Sequence, residues 1–358
     1  MWTERYVRAD AGGSGDGTAD TSGSAWTIAQ AMTSATAGMR VNIRGDAGTY
    51  SLTTTTLSLP AVTNVWWRGF NATVGDLDDD YVTTQPQIVF TTGHFATSAG
   101  TKHLFTSLTF SSANTNQTVL MEGTAHFFRR CRFLISTTGR AFHMFAADST
   151  LLECYIQAPA NATRALLAWG RGTVSKCYVV GGIVGIDGVC TAAGTHIREC
   201  LVDPATHGIV VTGNNGGTIV GNTVYAPTSD GIRFTVAATA GLCEGNLIVS
   251  PGAYGINATS GEPLMAFLRN AFYNPGTAET NGLGDRPLID HITETSDPLT
   301  NGAGGDFSLV STALSKGGAG VQFQDTTLTS HVDAGAIQRA EAGGGVVLSG
   351  ANYRGNYQ

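Results

Sequence analysis

The sequence is poor in charge and almost devoid of lysine. Charged residues are 13% of the 358 positions, lysine occurs three times (Lys102, Lys176 and Lys316), and the formal net charge is −7. A surface of that sign offers no footprint for a phosphate backbone, so nucleic acid is not expected as a partner. No apolar run is long enough to cross a bilayer, and the opening MWTERYVRAD has no apolar stretch of the kind an export signal carries. Membrane insertion and export by a signal peptide are therefore not expected. Six cysteines are too few for a disulfide scaffold in a chain of this length, no CxxC pair marks a zinc site, and no cofactor is expected. What the chain has in quantity is glycine, 47 residues against ten prolines, together with Thr, Ser and Ala. That mixture points to many short strands joined by tight turns, and away from a helical bundle.

The cysteines that are present mark a period. Cys131, Cys154, Cys177 and Cys200 are each 23 residues from the next, and two positions after each comes an apolar residue: Phe133, Ile156, Val179 and Val202. Asn222, Asn246 and Asn270 continue the series at steps of 22, 24 and 24, followed by Val224, Ile248 and Phe272. A fixed period of this size defines a stacked architecture, because one unit cannot bury its apolar face without neighbours above and below. A second column runs through six of these units: AFHMF, ALLAW, GIDGV, GIVVT, GIRFT and GINAT, beginning at Ala141, Ala165, Gly185, Gly208, Gly231 and Gly255.

Alternation within this second column turns Phe142, Leu166, Ile186, Ile209, Ile232 and Ile256 inward, with Met144, Ala168, Val211, Phe234 and Ala258. Coils stack at about 4.8 Å, the ordinary strand spacing, so the four cysteines are expected to form a buried column of thiols, since disulfide geometry is stricter. The asparagines are expected to form a ladder of side-chain amides at a coil corner. The expected fold class is thus all-β, a single parallel β-helix.

The ends carry a resemblance. YVRADAGGSGDGTADTSGSAWTIAQAM (Tyr6 to Met32) and MRVNIRGDAGTYS (from Met39), with SDPLTNGAGGDFSLV (Ser296 to Val310) and HVDAGAIQ (His331 to Gln338), resemble the opening, first coil and closing segments of pectate-lyase-like right-handed parallel β-helix proteins. The chain is most like the β-helical decoration and spike proteins of tailed bacteriophages within that superfamily. The resemblance implies an N-terminal cap with a short amphipathic helix over residues 1–38, right-handed coils over 39–285, closing coils over 286–340 and a glycine-hinged arm over 341–358. Caps are physically required, since an open end would expose unpaired strand edges.

Chemistry, if the face carries any, falls on the outward positions of the second column. Those rows read Arg140, Arg164, Val184, His207, Asp230, Tyr254 and His143, Leu167, Asp187, Val210, Arg233, Asn257, which gathers Asp187, His207, Asp230 and Arg233 as candidate catalytic residues. Two carboxylates two coils apart, roughly 10 Å, are marginal for acid–base glycoside hydrolysis. THG at Thr206 to Gly208 resembles the histidine motif of polygalacturonases, but that family's Asn-Thr-Asp, Asp-Asp and Arg-Ile-Lys motifs are missing. The competing reading is a set of mutually satisfied surface charges, with Arg233 paired to Asp187 or Asp230. Asp76, Asp78, Asp79 and Asp80 are a weak candidate for Ca²⁺, set against a solvated acidic loop. Trp66 or Trp67, Phe145 and Trp169 are aromatic candidates for stacking on sugar or for a protein interface.

The leading functional expectation is a non-enzymatic virion structural protein, a capsid decoration or cement protein. It would be a homotrimer bound to the major capsid protein or other virion proteins through Tyr353, Arg354, Tyr357 and Trp169. The alternative is a phage tail spike or a polysaccharide-degrading enzyme, hydrolase or lyase, working on a host glycan with the outward face.

Overall fold

Each coil has three short runs of alternating apolar residues, and in the computed structural model of the protein each run is a strand. The structure describes residues 2–310, apart from 54–55, 78–84, 98–100, 146–147, 190–193, 214–216, 236–240, 262 and 285–287. Every third strand falls in the same sheet, giving sheet A of 12 strands, sheet B of 11 and sheet C of 10, all paired in parallel. This is a right-handed parallel β-helix, the fold expected.

The register read from the cysteine and asparagine series is the register of sheet B. Phe133 pairs with Ile156, Ile156 with Val179, and the row runs on through Val202, Val224 and Ile248 to Phe272. It also extends backwards through Phe110, Ile88 and Tyr50, where no cysteine or asparagine marks the corner. The inward residues of sheet C are buried as expected, from Phe142 to Ile256 and from Met144 to Ala258. The earlier coils have an aromatic core instead: Phe105 stacks on Phe128 with ring centroids 4.2 Å apart, and Phe133 meets Phe142 at 4.5 Å.

The corner columns behave as two kinds of ladder. Cys131, Cys154, Cys177 and Cys200 are buried free thiols, each donating to a carbonyl two residues before it at 3.3 to 3.4 Å. Asn222 Nδ2 donates to Asn246 Oδ1 and Asn246 Nδ2 to Asn270 Oδ1, both at 2.9 Å. Just before each corner stands a residue in the left-handed region, among them Arg130, Glu153, Lys176 and Glu199. A non-glycine residue there costs roughly 1 kcal/mol. These four alternate in charge from coil to coil, and Arg130 Nε reaches Glu153 Oε2 at 2.9 Å while Lys176 reaches Glu199 at 3.6 Å.

The glycines of sheet C answer a packing demand. A Cβ on Gly208 would lie 2.3 Å from Val224 Cγ1, and one on Gly231 would lie 2.4 Å from Ile248 Cγ2. Sheets B and C therefore meet so closely at this edge that only hydrogen fits.

At the N-terminal end, strand Thr3–Val7 pairs with Met39–Arg44, and the helix Ile28–Ser34 lies between them in sequence. Thr27 and Gln30 form a reciprocal capping box, and Ile28, Ala31 and Met32 are buried on the first coils. At the other end the chain turns back. An antiparallel hairpin, Leu299–Asn301 with Asp306–Leu309, lies on the outer face of sheet B, where Phe307 packs on Tyr225 at 5.3 Å and on Tyr178 at 6.0 Å. Residues 311–358, with the arm expected at 341–358, lie outside the described residues.

Candidate functional site

Sheet C presents its two outward rows as the sequence predicts: Arg140 pairs with Arg164, Arg164 with Val184 and Val184 with His207, while His143, Leu167, Asp187, Val210, Arg233 and Asn257 follow in the second row. The four candidate catalytic residues do not form one cluster. His207, Asp230 and Arg233 come together, and Asp187 belongs to a separate group with Arg164 and Thr212.

In the first group, Arg233 Nη1 lies 3.0 Å from His207 Nε2, and His207 Nδ1 lies 3.4 Å from Asp230 Oδ2. Arginine only donates, so Nε2 accepts and the imidazole proton sits on Nδ1, facing the carboxylate. Asp230 is 2% exposed. Burial pushes its pKa up, but hydrogen bonds from His207 and Asn257 and the nearby charge of Arg233 outweigh this and hold it below the usual carboxylate range. In the second group Asp187, 1% exposed, accepts from Arg164 Nε and, at 2.8 Å, from Thr212 Oγ1.

Both carboxylates point outward yet are covered by their own partners, which the period-two rule alone does not foresee. Acid–base glycoside hydrolysis needs one carboxyl kept protonated and one free to act on water or on the sugar. Asp230 is held ionised and Asp187 is tied to a guanidinium. Acid–base cleavage by these carboxylates would require one of the pairs to open.

The same strip carries groups that no carboxylate marks. Arg140 and His143 stand one coil from Arg164 and Leu167, with Arg140 Nη1 3.4 Å from His143 Nδ1. Burial, then the charges of Arg140 and Arg164, depress His143 to about 4, so it is neutral at pH 7. Beside it lie the most exposed aromatic rings of this sheet: Phe145, 50% exposed, and Trp169, 37% exposed, meet edge to face at 5.1 Å. His143 touches both rings, at 5.9 and 6.5 Å. The signal for Arg140 and Arg164 was in the sequence, two arginines at one coil spacing in one row.

The remaining candidates fall elsewhere. Trp67 is wholly buried, while Trp66 faces out, donates to Thr106 Oγ1 at 2.9 Å and lies under Arg40 and Arg68. Asp76 accepts from the N–H groups of Asn71, Ala72 and Thr73 at 2.8 to 3.0 Å, which closes a turn; burial raises its pKa, and these three bonds more than reverse the effect. Asp78, Asp79 and Asp80 lie outside the described residues, as do Tyr353, Arg354 and Tyr357. No group of three or more His, Cys, Asp or Glu placed to hold a metal occurs among the described residues.

Similar solved proteins include a pectate lyase and a phage tailspike. The pectate lyase Pel9A superposes with a TM-score of 0.62 at 12% identity, over 95% of this chain and 97% of the lyase. The tailspike protein of E. coli bacteriophage HK620 superposes with a TM-score of 0.52 at 14% identity, over 72% of this chain and 55% of the spike. This chain thus matches about half the length of the tailspike. That tailspike is also known in complex with a pentasaccharide, a form that superposes with a TM-score of 0.50 at 12% identity. No family model and no curated protein sequence matches the chain. At these identities the likeness is one of fold: the chain shares the parallel β-helix architecture of this pectate lyase and this tailspike.

Proposed function

We propose that the protein is a polysaccharide-recognising β-helix of the tail-spike or polysaccharide-acting kind, with the outward strip of sheet C as its sugar-binding face. The observation that carries this reading is the exposed Phe145–Trp169 pair, set beside His143 and the arginines on a rigid sheet. Aromatic rings left half in solvent with polar neighbours at their edge suit the stacking of a sugar ring. The fold neighbours favour this alternative over capsid decoration, the leading expectation of the sequence, which they do not support. Location on a virion and assembly as a homotrimer go with the phage likeness and are part of the proposal.

The test is binding and cleavage measured together. Purified protein is run through gels containing host-surface and plant polysaccharides, and the same polymers are assayed for new reducing ends or unsaturated ends. Retardation that Trp169→Ala abolishes supports the reading, and polymer cleavage lost in Asp230→Asn would add catalysis to it. Attachment to phage heads with no retardation by any polymer would return the protein to the capsid.

A further inference from the structure

The charges on the sheet C strip do not balance. Arg140, Arg164 and Asp187 lie within two coils of each other, and the single carboxylate is taken by Arg164. Arg140 has no ion pair among the described residues; its Nε is buried without a hydrogen-bond partner, and its one side-chain polar contact is the 3.4 Å approach to His143. His143 Nε2 is likewise buried and unpartnered. Burial and the neighbouring Arg164 both work against the charge of Arg140, and only Asp187 favours it. An arginine remains charged at any pH the protein meets, so this site cannot relieve itself by losing a proton.

A half-buried guanidinium without a counter-ion is costly, and bound anions remove that cost by paired N–H···O bonds in a fixed fork. Phe145 directly follows the strand Arg140–Met144, with Trp169 alongside, and His143 bridges the arginine to both rings. We infer that Arg140 is the acid-group subsite of this face, holding a carboxylate or sulfate ester of an anionic glycan whose ring lies on Phe145 and Trp169. This deepens the sugar-binding reading above and rests on it. Arg164 adds field without being released from Asp187, and neutral His143 fills the space between subsite and platform without repelling the ligand.

The experiment uses the full chain, wild type and Arg140→Gln, with Arg140→Lys as a second variant that keeps the charge but not the fork. Circular dichroism first establishes that each variant is folded. Affinity gels then contain a uronate polysaccharide, a sulfated dextran or unmodified dextran. Melting temperatures are recorded in sodium glucuronate, sodium sulfate and sodium chloride at one ionic strength, with glucose as the neutral control. The expected result is tenfold or greater loss of affinity for an anionic polymer in Arg140→Gln, a smaller loss in Arg140→Lys, and loss of the stabilisation that glucuronate or sulfate gives over chloride. A preference for the uronate or for the sulfated polymer assigns the acid group. Sugar binding that Arg140→Gln leaves unchanged overturns the subsite and leaves the sugar-binding face standing. Failure of the wild type to bind any polymer overturns both.

Discussion

Asn222 and Asn246 stand one coil apart, and Oδ1 of Asn246 accepts at once from the side-chain amide of Asn222 at 2.9 Å and from its backbone N–H at 3.0 Å. Asn246 in turn donates to Ile219 O at 2.9 Å. Replacing it with leucine keeps the volume but takes the acceptor from the buried Asn222 N–H and side-chain amide and a donor from the Ile219 carbonyl. At roughly 1–3 kcal/mol for each such group, Asn246→Leu is expected to cost about 2–5 kcal/mol, read from the midpoint of urea unfolding.

The charged corner offers a contrast between buried and exposed pairs. Glu153 accepts from Arg129 and Arg130, and Arg130 is almost wholly covered. Glu153→Gln removes the counter-charge from a buried guanidinium and is expected to lose about 2–4 kcal/mol. Asp148→Asn, which breaks an exposed pair with Arg171, is expected to leave the unfolding midpoint within error.

Glycine substitutions on sheet C separate close packing from spare room. Gly208→Ala places a methyl 2.3 Å from Val224 Cγ1 and 2.4 Å from Gly231 O, and is expected to cost several kcal/mol, on the order of an overpacked core. Gly188→Ala meets Ile197 Cδ1 at 3.3 Å and Val210 O at 3.7 Å, and borders a void of about 10 Å³ lined by Ile197, Val211 and Met265. The coil before already has Ala168 at this position. This second change is expected to be neutral or mildly stabilising in thermal melts.

Stability is expected to fall on mild acidification. His103, buried with its ring 5.4 Å from His126, accepts from Trp67 Nε1 at 3.2 Å, and burial followed by the charge of His126 depresses its pKa to about 4. Its unfolded value is near 6.5, so between about pH 6.5 and 4 the unfolded chain takes up the proton and the folded one does not. The contribution is full above about pH 6.5 and lost as the pH falls towards 4, roughly 3 kcal/mol in all. Denaturant midpoints measured across this window should show the slope, and His103→Gln should reduce it, leaving the part that the similarly depressed His143 contributes.

Much of the fold was legible because its period is written in residue types that cannot hide. A cysteine or asparagine every coil fixes a corner, and alternation then assigns the inward residues, so the register from Cys131 to Phe272 follows directly. Before Cys131 the same corner is occupied by Leu108, a residue too common to mark a column, and three coils went uncounted. The site was legible only in part. The rows were right, but a row says which side chains are neighbours and not how they pair: Asp187 had two arginines within reach, Arg164 and Arg233, and took Arg164. A carboxylate pattern gives no sign of Arg140, whose importance lies in the partner it lacks.

The hairpin Leu299–Asn301 with Asp306–Leu309 has a bearing on how the molecule comes apart. A column of coils, each touching only the next, is free to fray from either tip one turn at a time, like a coiled spring pulled at its end. By folding back until Phe307 rests on Tyr225 and Tyr178, the hairpin acts as a clasp across several turns. Those turns cannot peel singly while the clasp is shut, and the far tip of the rod is lost as one piece when it opens.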